Sequence, residues 1–135
     1  MTRHVPPSVP GACPCGSDIP YSACCGPCHD GSRPPADAER LMRSRYAAYV
    51  LGNRDYLLAT WHPDTRPAEL DLDTPPVPKW LGLQVKAHLP QGENQAQVRF
   101  VARYKIGGRA FRLAETSRFQ RVEGRWFYLD GDIES

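Results

Sequence analysis

The stretch that decides the fold is "VRFVARYKIGGRAFRLAETSRF", Val98 to Phe119. In its first half, Val98, Phe100, Ala102, Tyr104 and Ile106 alternate with Arg99, Val101, Arg103 and Lys105. A period of two marks a strand with one covered face, because successive side chains leave opposite sides of the backbone. Gly107-Gly108 then supplies two residues that tolerate the positive φ of a tight hairpin turn. Beyond it Phe111, Leu113 and Phe119 alternate with Arg112 and Arg118. The stretch reads as a β-hairpin with one apolar side and one basic side.

The same period continues outward. Upstream, Leu81, Leu83, Val85, Ala87 and Leu89 alternate with Gly82, Gln84, Lys86 and His88, and "PQGEN" (90–94) forms the turn. Downstream, Glu123-Gly124 is a turn and Trp126 to Leu129 begins a fourth strand. Four strands joined by short turns make an antiparallel meander, which usually keeps one solvated and one covered face. The cover comes from upstream helices. Asp37, just after Pro34-Pro35, is a good N-cap. Met42, Tyr46, Tyr49 and Val50 share one helical face with Leu41 at its border, while Arg40, Arg43 and Arg45 point away. Gly52 stands where a helix-terminating glycine is expected. A second short helix is expected over Asp55 to Trp61, stopped by Pro63, and the proline-rich 63–79 reads as a loop with one helical turn around Ala68–Leu72. The fold class is α+β: helices packed on a curved, four-stranded antiparallel sheet, occupying residues 36–135.

Ahead of this domain, residues 1–35 are rich in Pro, Gly, Cys and Ser and read as a small knuckle behind a disordered N-terminal tail. All five cysteines lie in "CPCGSDIPYSACCGPCHDG", Cys13 to Gly31. Cys13, Cys15, Cys24 and Cys25 have the spacing C-x-C-x8-C-C, two close pairs that a short loop can bring onto one tetrahedron. Zn2+ suits such a set, since it has no redox chemistry and favours four thiolate or imidazole ligands. A segment this poor in apolar residues would draw its folding free energy from the metal. Four thiolates fill the shell, so the site is read as structural. Competing readings are a redox dithiol at Cys25–Cys28, a vicinal Cys24–Cys25 disulfide, or incidental thiols. Cys28 or His29 could replace Cys25 as fourth ligand; otherwise Cys28 is a free thiol beside the site.

The bulk numbers set limits. The net charge is only +2, which does not mark the whole chain as a nucleic-acid or membrane binder. "MTRHVPPSVPGA" has no apolar run of a secretory signal, and no stretch approaches the ~18 apolar residues of a membrane span. A cytoplasmic location without membrane partners is expected, and there clustered cysteines more often bind metal than form bridges.

On "CPCGS…YSACC" the chain resembles the SEC-C motif, a zinc-binding module found at the C-terminus of the bacterial preprotein translocase ATPase. That resemblance implies Cys13, Cys15, Cys24 and Cys25 as ligands. "LMRSRYAAYV", "YLLATWHP", "WLGLQV", "FVARYKIGG", "ETSRF" and "GRWFYLDGD" resemble the bacterial YchJ-like (UPF0225) family. The family's central domain is similar to the nuclear transport factor 2-like, or cystatin-like, cone. The family is uncharacterised, so the resemblance speaks to fold and metal more than to function.

Several other groups stand out. Glu115 and Ser117 fall on the apolar face of their strand, where a carboxylate needs a partner. Arg43 or Arg45 could supply it, with Tyr46 and Tyr104 nearby. The functional reading is a small-molecule pocket built from Arg45, Tyr46, Glu115 and Ser117; the plain one is a structural ion pair. His62 reads as a helix-end cap, His4 and His88 as surface residues, and Asp130 and Asp132 as a solvated turn. Residues 95–125 carry Arg99, Arg103, Lys105, Arg109, Arg112, Arg118, Arg121 and Arg125 against only Glu115 and Glu123. This is a basic sheet face that nucleic acid could use, although no aromatic residues interleave with it for base stacking. The leading expectation is a non-enzymatic module whose zinc knuckle contacts a protein or the ribosome. The alternatives are a small-molecule-binding or enzymatic cone with a pocket near Glu115, and a thiol sensor that uses Cys28. Neither the partner's identity nor the oligomeric state follows from the sequence.

Overall fold

A computed structural model describes residues 12–134. The expected N-terminal tail through residue 11, with His4, lies outside the described residues. A 3-10 turn, Tyr21–Ala23, leads into helix α1 (Cys25–His29), followed by α2 (Ala38–Leu51) and α3 (Arg54–Ala59). The strands β1 (Lys79–Pro90), β2 (Gln95–Ile106), β3 (Arg109–Val122) and β4 (Arg125–Ile133) form one antiparallel sheet in the order β1-β2-β3-β4. The meander and its turns are those expected from the period-two pattern.

Helix α2 begins where Asp37 accepts a hydrogen bond from the Arg40 amide at 2.8 Å, and it ends at Gly52 in a left-handed conformation (φ 72°). Both signals follow helix-end physics: the N-cap oxygen satisfies an orphan N–H, and glycine carries no Cβ penalty at positive φ. Ala38, Leu41, Met42 and Tyr46 of α2 pack on Ala96, Val98, Phe100, Ala102 and Phe119 of the sheet. Arg45 lies at the same helical spacing. It is only 3% exposed, so the expectation that it points away from the core is corrected. Val50, expected inside, is exposed. The opposite flank of α2, at Ser44, Ala47 and Ala48, is buried as well, because the cysteine segment packs there.

β1 departs from its expected phase. Its register against β2 shifts between Trp80 and Gly82 and again between Val85 and Ala87. An extra residue on one strand flips every side chain beyond it to the other face. Trp80, Leu83 and Val85 therefore join the inner cluster, and His88 pairs with inward-facing Val98, while Leu81 and Leu89 are exposed. His88, expected on the surface, comes within 4.0 Å of Glu39 on α2. α3 stops at Ala59, short of the expected Trp61, because Thr60–His62 turn away to meet β4. Tyr128 N–H donates to the Thr60 carbonyl at 2.8 Å and His62 N–H to the Tyr128 carbonyl at 2.7 Å. The His62 ring accepts from the Asp64 amide at 3.0 Å. No helical turn forms at 68–72; Leu70 and Leu72 instead pack beside Tyr56 and Leu57 of α3.

On the outer face the charges are partly paired. Arg118 binds Asp130 at 2.5 Å and Asp132 at 2.7 Å, and Arg99 binds Glu134 at 2.8 Å. Asp130 and Asp132 are thus strand residues in an ion triad, not a solvated turn. Arg103 stands directly opposite Arg112, and Lys79 opposite Lys105.

Candidate metal centre

Ala12 and Pro20 form an isolated antiparallel bridge, and the Cys13 amide donates to the Ile19 carbonyl at 2.8 Å. This miniature hairpin presents Cys13 and Cys15 on one side. The Tyr21–Ala23 turn and the start of α1 deliver Cys24 and Cys25 to the same point. The four Sγ atoms lie within 4.8 Å of one another, with Cys15–Cys24 at 3.7 Å and Cys24–Cys25 at 4.0 Å. A tetrahedral ion held by thiolates at about 2.3 Å requires sulfur–sulfur edges of about 3.8 Å, so the residues present fit such a group. All four sulfurs belong to buried residues, and no disulfide joins them.

Without a cation, so many thiols cannot all ionise at this spacing. The hydrogen bond from Cys25 pulls Cys15 down, and the same bond pushes Cys25 up. Burial raises Cys13. A dication resolves this conflict by stabilising every thiolate at once. The surrounding groups are those that favour negative sulfur. Ser17 Oγ lies 3.1 Å from Cys24 Sγ. Arg40 places Nη1 at 3.7 Å from the same sulfur while Nη2 donates to the Cys24 carbonyl at 3.2 Å. Arg43 donates to the Cys15 carbonyl at 3.2 Å. Both arginines come from α2, so the helix that covers the sheet also supplies the outer shell of the cluster. Sequence reasoning missed this role; the i, i+3 spacing of Arg40 and Arg43 was its only signal.

Cys28 and His29 stand apart from the four. The His29 Nε2–H donates to the Ser44 carbonyl at 2.8 Å, which leaves Nδ1 to accept from Tyr21 Oη–H at 2.6 Å. Both nitrogens are occupied, so His29 is a strut between α1 and α2. Cys28 is 5% exposed and packs with Ala48, Tyr56 and Leu57. Burial pushes its thiol up. The exposed, reactive Cys28 that the sensor reading requires is not found: Cys28 packs as a small buried residue, with Arg40 Nη2 at 3.7 Å from its sulfur.

The structure places Arg45, Tyr46, Glu115 and Ser117 around one cavity between α2 and the sheet. Glu115 accepts from Ser117 Oγ at 2.7 Å. Gly131 on β4 makes room for it, since a Cβ there would come within 2.2 Å of Glu115 Oε2. The suggested ion pair to Arg43 or Arg45 is not formed. Arg43 binds Glu39, and Arg45 Nη1 donates to the Leu57 carbonyl and Thr60 Oγ1, each at 2.8 Å.

Residues 37–131 match the family model described as "YchJ, middle NTF2-like domain", and residues 12–27 match that of the SEC-C motif. The chain is 53% identical to a UPF0225 protein of Ralstonia nicotianae, with 98% of this chain and 99% of that protein covered. It is 57% identical to a UPF0225 protein of Bordetella parapertussis, over 95% and 97% of the two chains. The solution structure of a SEC-C motif containing protein from Rhodopseudomonas palustris superposes with a TM-score of 0.80 at 34% identity, covering 91% of this chain and 98% of that one. The crystal structure of a sec-c motif containing protein from Psychrobacter arcticus gives 0.74 at 29%, covering 92% and 83%.

Proposed function

We propose, from the premise that the chain belongs to the UPF0225 family of SEC-C-bearing, YchJ-like proteins, that it is a zinc-stabilised interaction module. Its knuckle would dock an acidic segment of a protein or ribosomal partner. The donor set supports zinc: four thiolates at tetrahedral spacing, with no carboxylate among them, favour a borderline-soft, redox-silent ion. A shell filled by protein sulfur leaves no position for substrate, which favours a structural over a catalytic ion.

The observation that carries the reading is the outer surface of the knuckle. Ile19 and Pro20, on the second arm of the small hairpin, are exposed. Beside them lies a concave surface of about 240 Å³ lined by Ile19, Ala23, Arg33, Pro34 and Pro35. Apolar contacts next to an exposed, charged guanidinium favour a partner that carries a carboxylate beside an apolar side chain. The ion's part would be to hold this surface rigid, which lowers the ordering cost of binding.

The test uses three forms of the chain as bait in cell lysate: wild type, Cys24→Ser/Cys25→Ser, and Ile19→Asp/Arg33→Glu. Wild type should carry one zinc per chain by elemental analysis. The surface variant should keep its zinc and lose the partners, and the cysteine variant should lose both. Capture of the same partners by all three forms would overturn the reading.

A further inference from the structure

The cavity between α2 and the inner sheet face encloses about 240 Å³. One end is apolar, formed by Trp80 with the cross-strand pair Ala102 and Leu113, while Phe100 stands directly opposite Glu115. Trp80 meets Tyr46 at 5.8 Å and Tyr49 at 5.9 Å between ring centroids, which walls that end with packed aromatic rings. The half-buried Tyr49, Trp80 and Leu113 mark its open side.

The other end is polar and electrically split. Arg45 is almost completely buried, and no carboxylate lies within 4.0 Å of it among the described residues. Its guanidinium lies 4.6 Å from the Tyr128 ring centre and 5.0 Å from that of Trp61, with Nη1 donating to the Leu57 carbonyl and Thr60 and the Tyr49 side chain close beside it. Glu115 lines the same cavity and receives one hydrogen bond, from Ser117. A buried cation and a carboxylate thus share one cavity without pairing with each other, so each can still meet a polar group brought in by a ligand.

We propose that this cavity binds a small, planar, uncharged molecule in which a hydrogen-bond donor sits beside an acceptor on an aromatic ring. An aromatic carboxamide is the simplest case. Its N–H would donate to Glu115, its carbonyl would accept from Arg45, and its ring would lie against Trp80 and Phe100. A cationic head is disfavoured by Arg45 and an anionic head by Glu115, so the pair selects a neutral head with both functions. The volume is below the range of about 300–1,000 Å³ common for ligand pockets, which limits the occupant to one or two rings.

The experiment titrates the full, metal-loaded chain with benzamide, benzoate and benzylamine, and follows backbone and Trp80 indole resonances by NMR. Benzamide should give saturable shifts at Trp80, Ala102 and Leu113, and the two charged probes should bind at least about tenfold more weakly. Glu115→Gln keeps the shape and removes the charge-assisted acceptor, and should weaken benzamide about tenfold. Leu113→Trp, which fills the apolar end, should abolish the shifts while the sheet resonances stay dispersed. The proposal is overturned if benzamide shifts do not saturate below about 10 mM, if benzoate or benzylamine binds as well, or if either variant binds like wild type.

Discussion

The knuckle and the sheet solve the same problem by opposite means. The inner sheet face joins residues far apart in sequence, such as Leu41, Val98 and Phe119, through apolar burial that needs nothing from outside the chain. The knuckle joins residues within one short segment, and its buried centre is sulfur. Thiolates at this spacing repel unless a cation neutralises them, so under the proposed zinc reading one region is self-sufficient and the other conditional on metal. They nevertheless share α2, which buries one flank against each. The difference shows that a conditional element can be made part of a stable body when a single helix serves both.

The largest effect should come from removing the ion. With strong chelator, amides of 13–28 should lose protection from hydrogen exchange by on the order of a thousandfold or more, while the β2–β3 ladder stays protected. Equal loss in both regions would break the comparison. Acid should act in the same direction, because thiolate ligands must shed their protons to bind metal. Next, Leu41→Ala should cost about 2–5 kcal/mol in urea unfolding, since Leu41 is fully buried, yet leave metal stoichiometry unchanged. Arg40→Met should do the reverse. Metal affinity should fall about 10–100-fold by competition with a chelating dye, and the midpoint of sheet unfolding should barely move. Gly52→Ala forces a Cβ into a left-handed cap and should cost about 1 kcal/mol without touching either region's chemistry.

The smallest effect belongs to the outer-face ions. Arg118 holds Asp132 below the usual carboxylate range, as Arg99 does Glu134. A depressed carboxylate stabilises the fold above its unfolded pKa and loses that contribution as pH falls through its folded value. Arg118→Gln should therefore shift the urea midpoint only slightly at neutral pH and physiological salt, and that small difference should vanish as pH falls below about 4.

Much of this architecture was legible because it is written in local patterns. Asp37 and Gly52 bracket α2 by helix-end chemistry alone, and Gly107-Gly108 with Glu123-Gly124 punctuate strands whose period is two. The cysteine spacing sufficed to bring four sulfurs together because the two pairs are close in the chain. What escaped depends on contacts across the fold. The register shifts at Leu81 and Lys86 leave no mark in composition, so the inward turn of Trp80 and His88 could not be read. Its charge groups Arg45 with the outward Arg40 and Arg43, while only the demand of Glu115 for a partner argues for turning it inward. Its burial becomes visible only when α3 supplies the Leu57 carbonyl and Thr60 as partners. Arg118 finds Asp130 and Asp132 only once β3 and β4 are paired.

The two margins of the meander have a consequence for life at high concentration. An open sheet offers unpaired backbone at its first and last strands, a template on which identical chains can stack. Here the Thr60–His62 segment already occupies the backbone of Tyr128 on β4, and β1 is bent by two irregularities and ends at Pro90. Neither margin is a long, flat row of free donors and acceptors. The chain is thereby guarded against self-templated aggregation, and cutting the Thr60–His62 strap should expose that hazard before it costs the protein its fold.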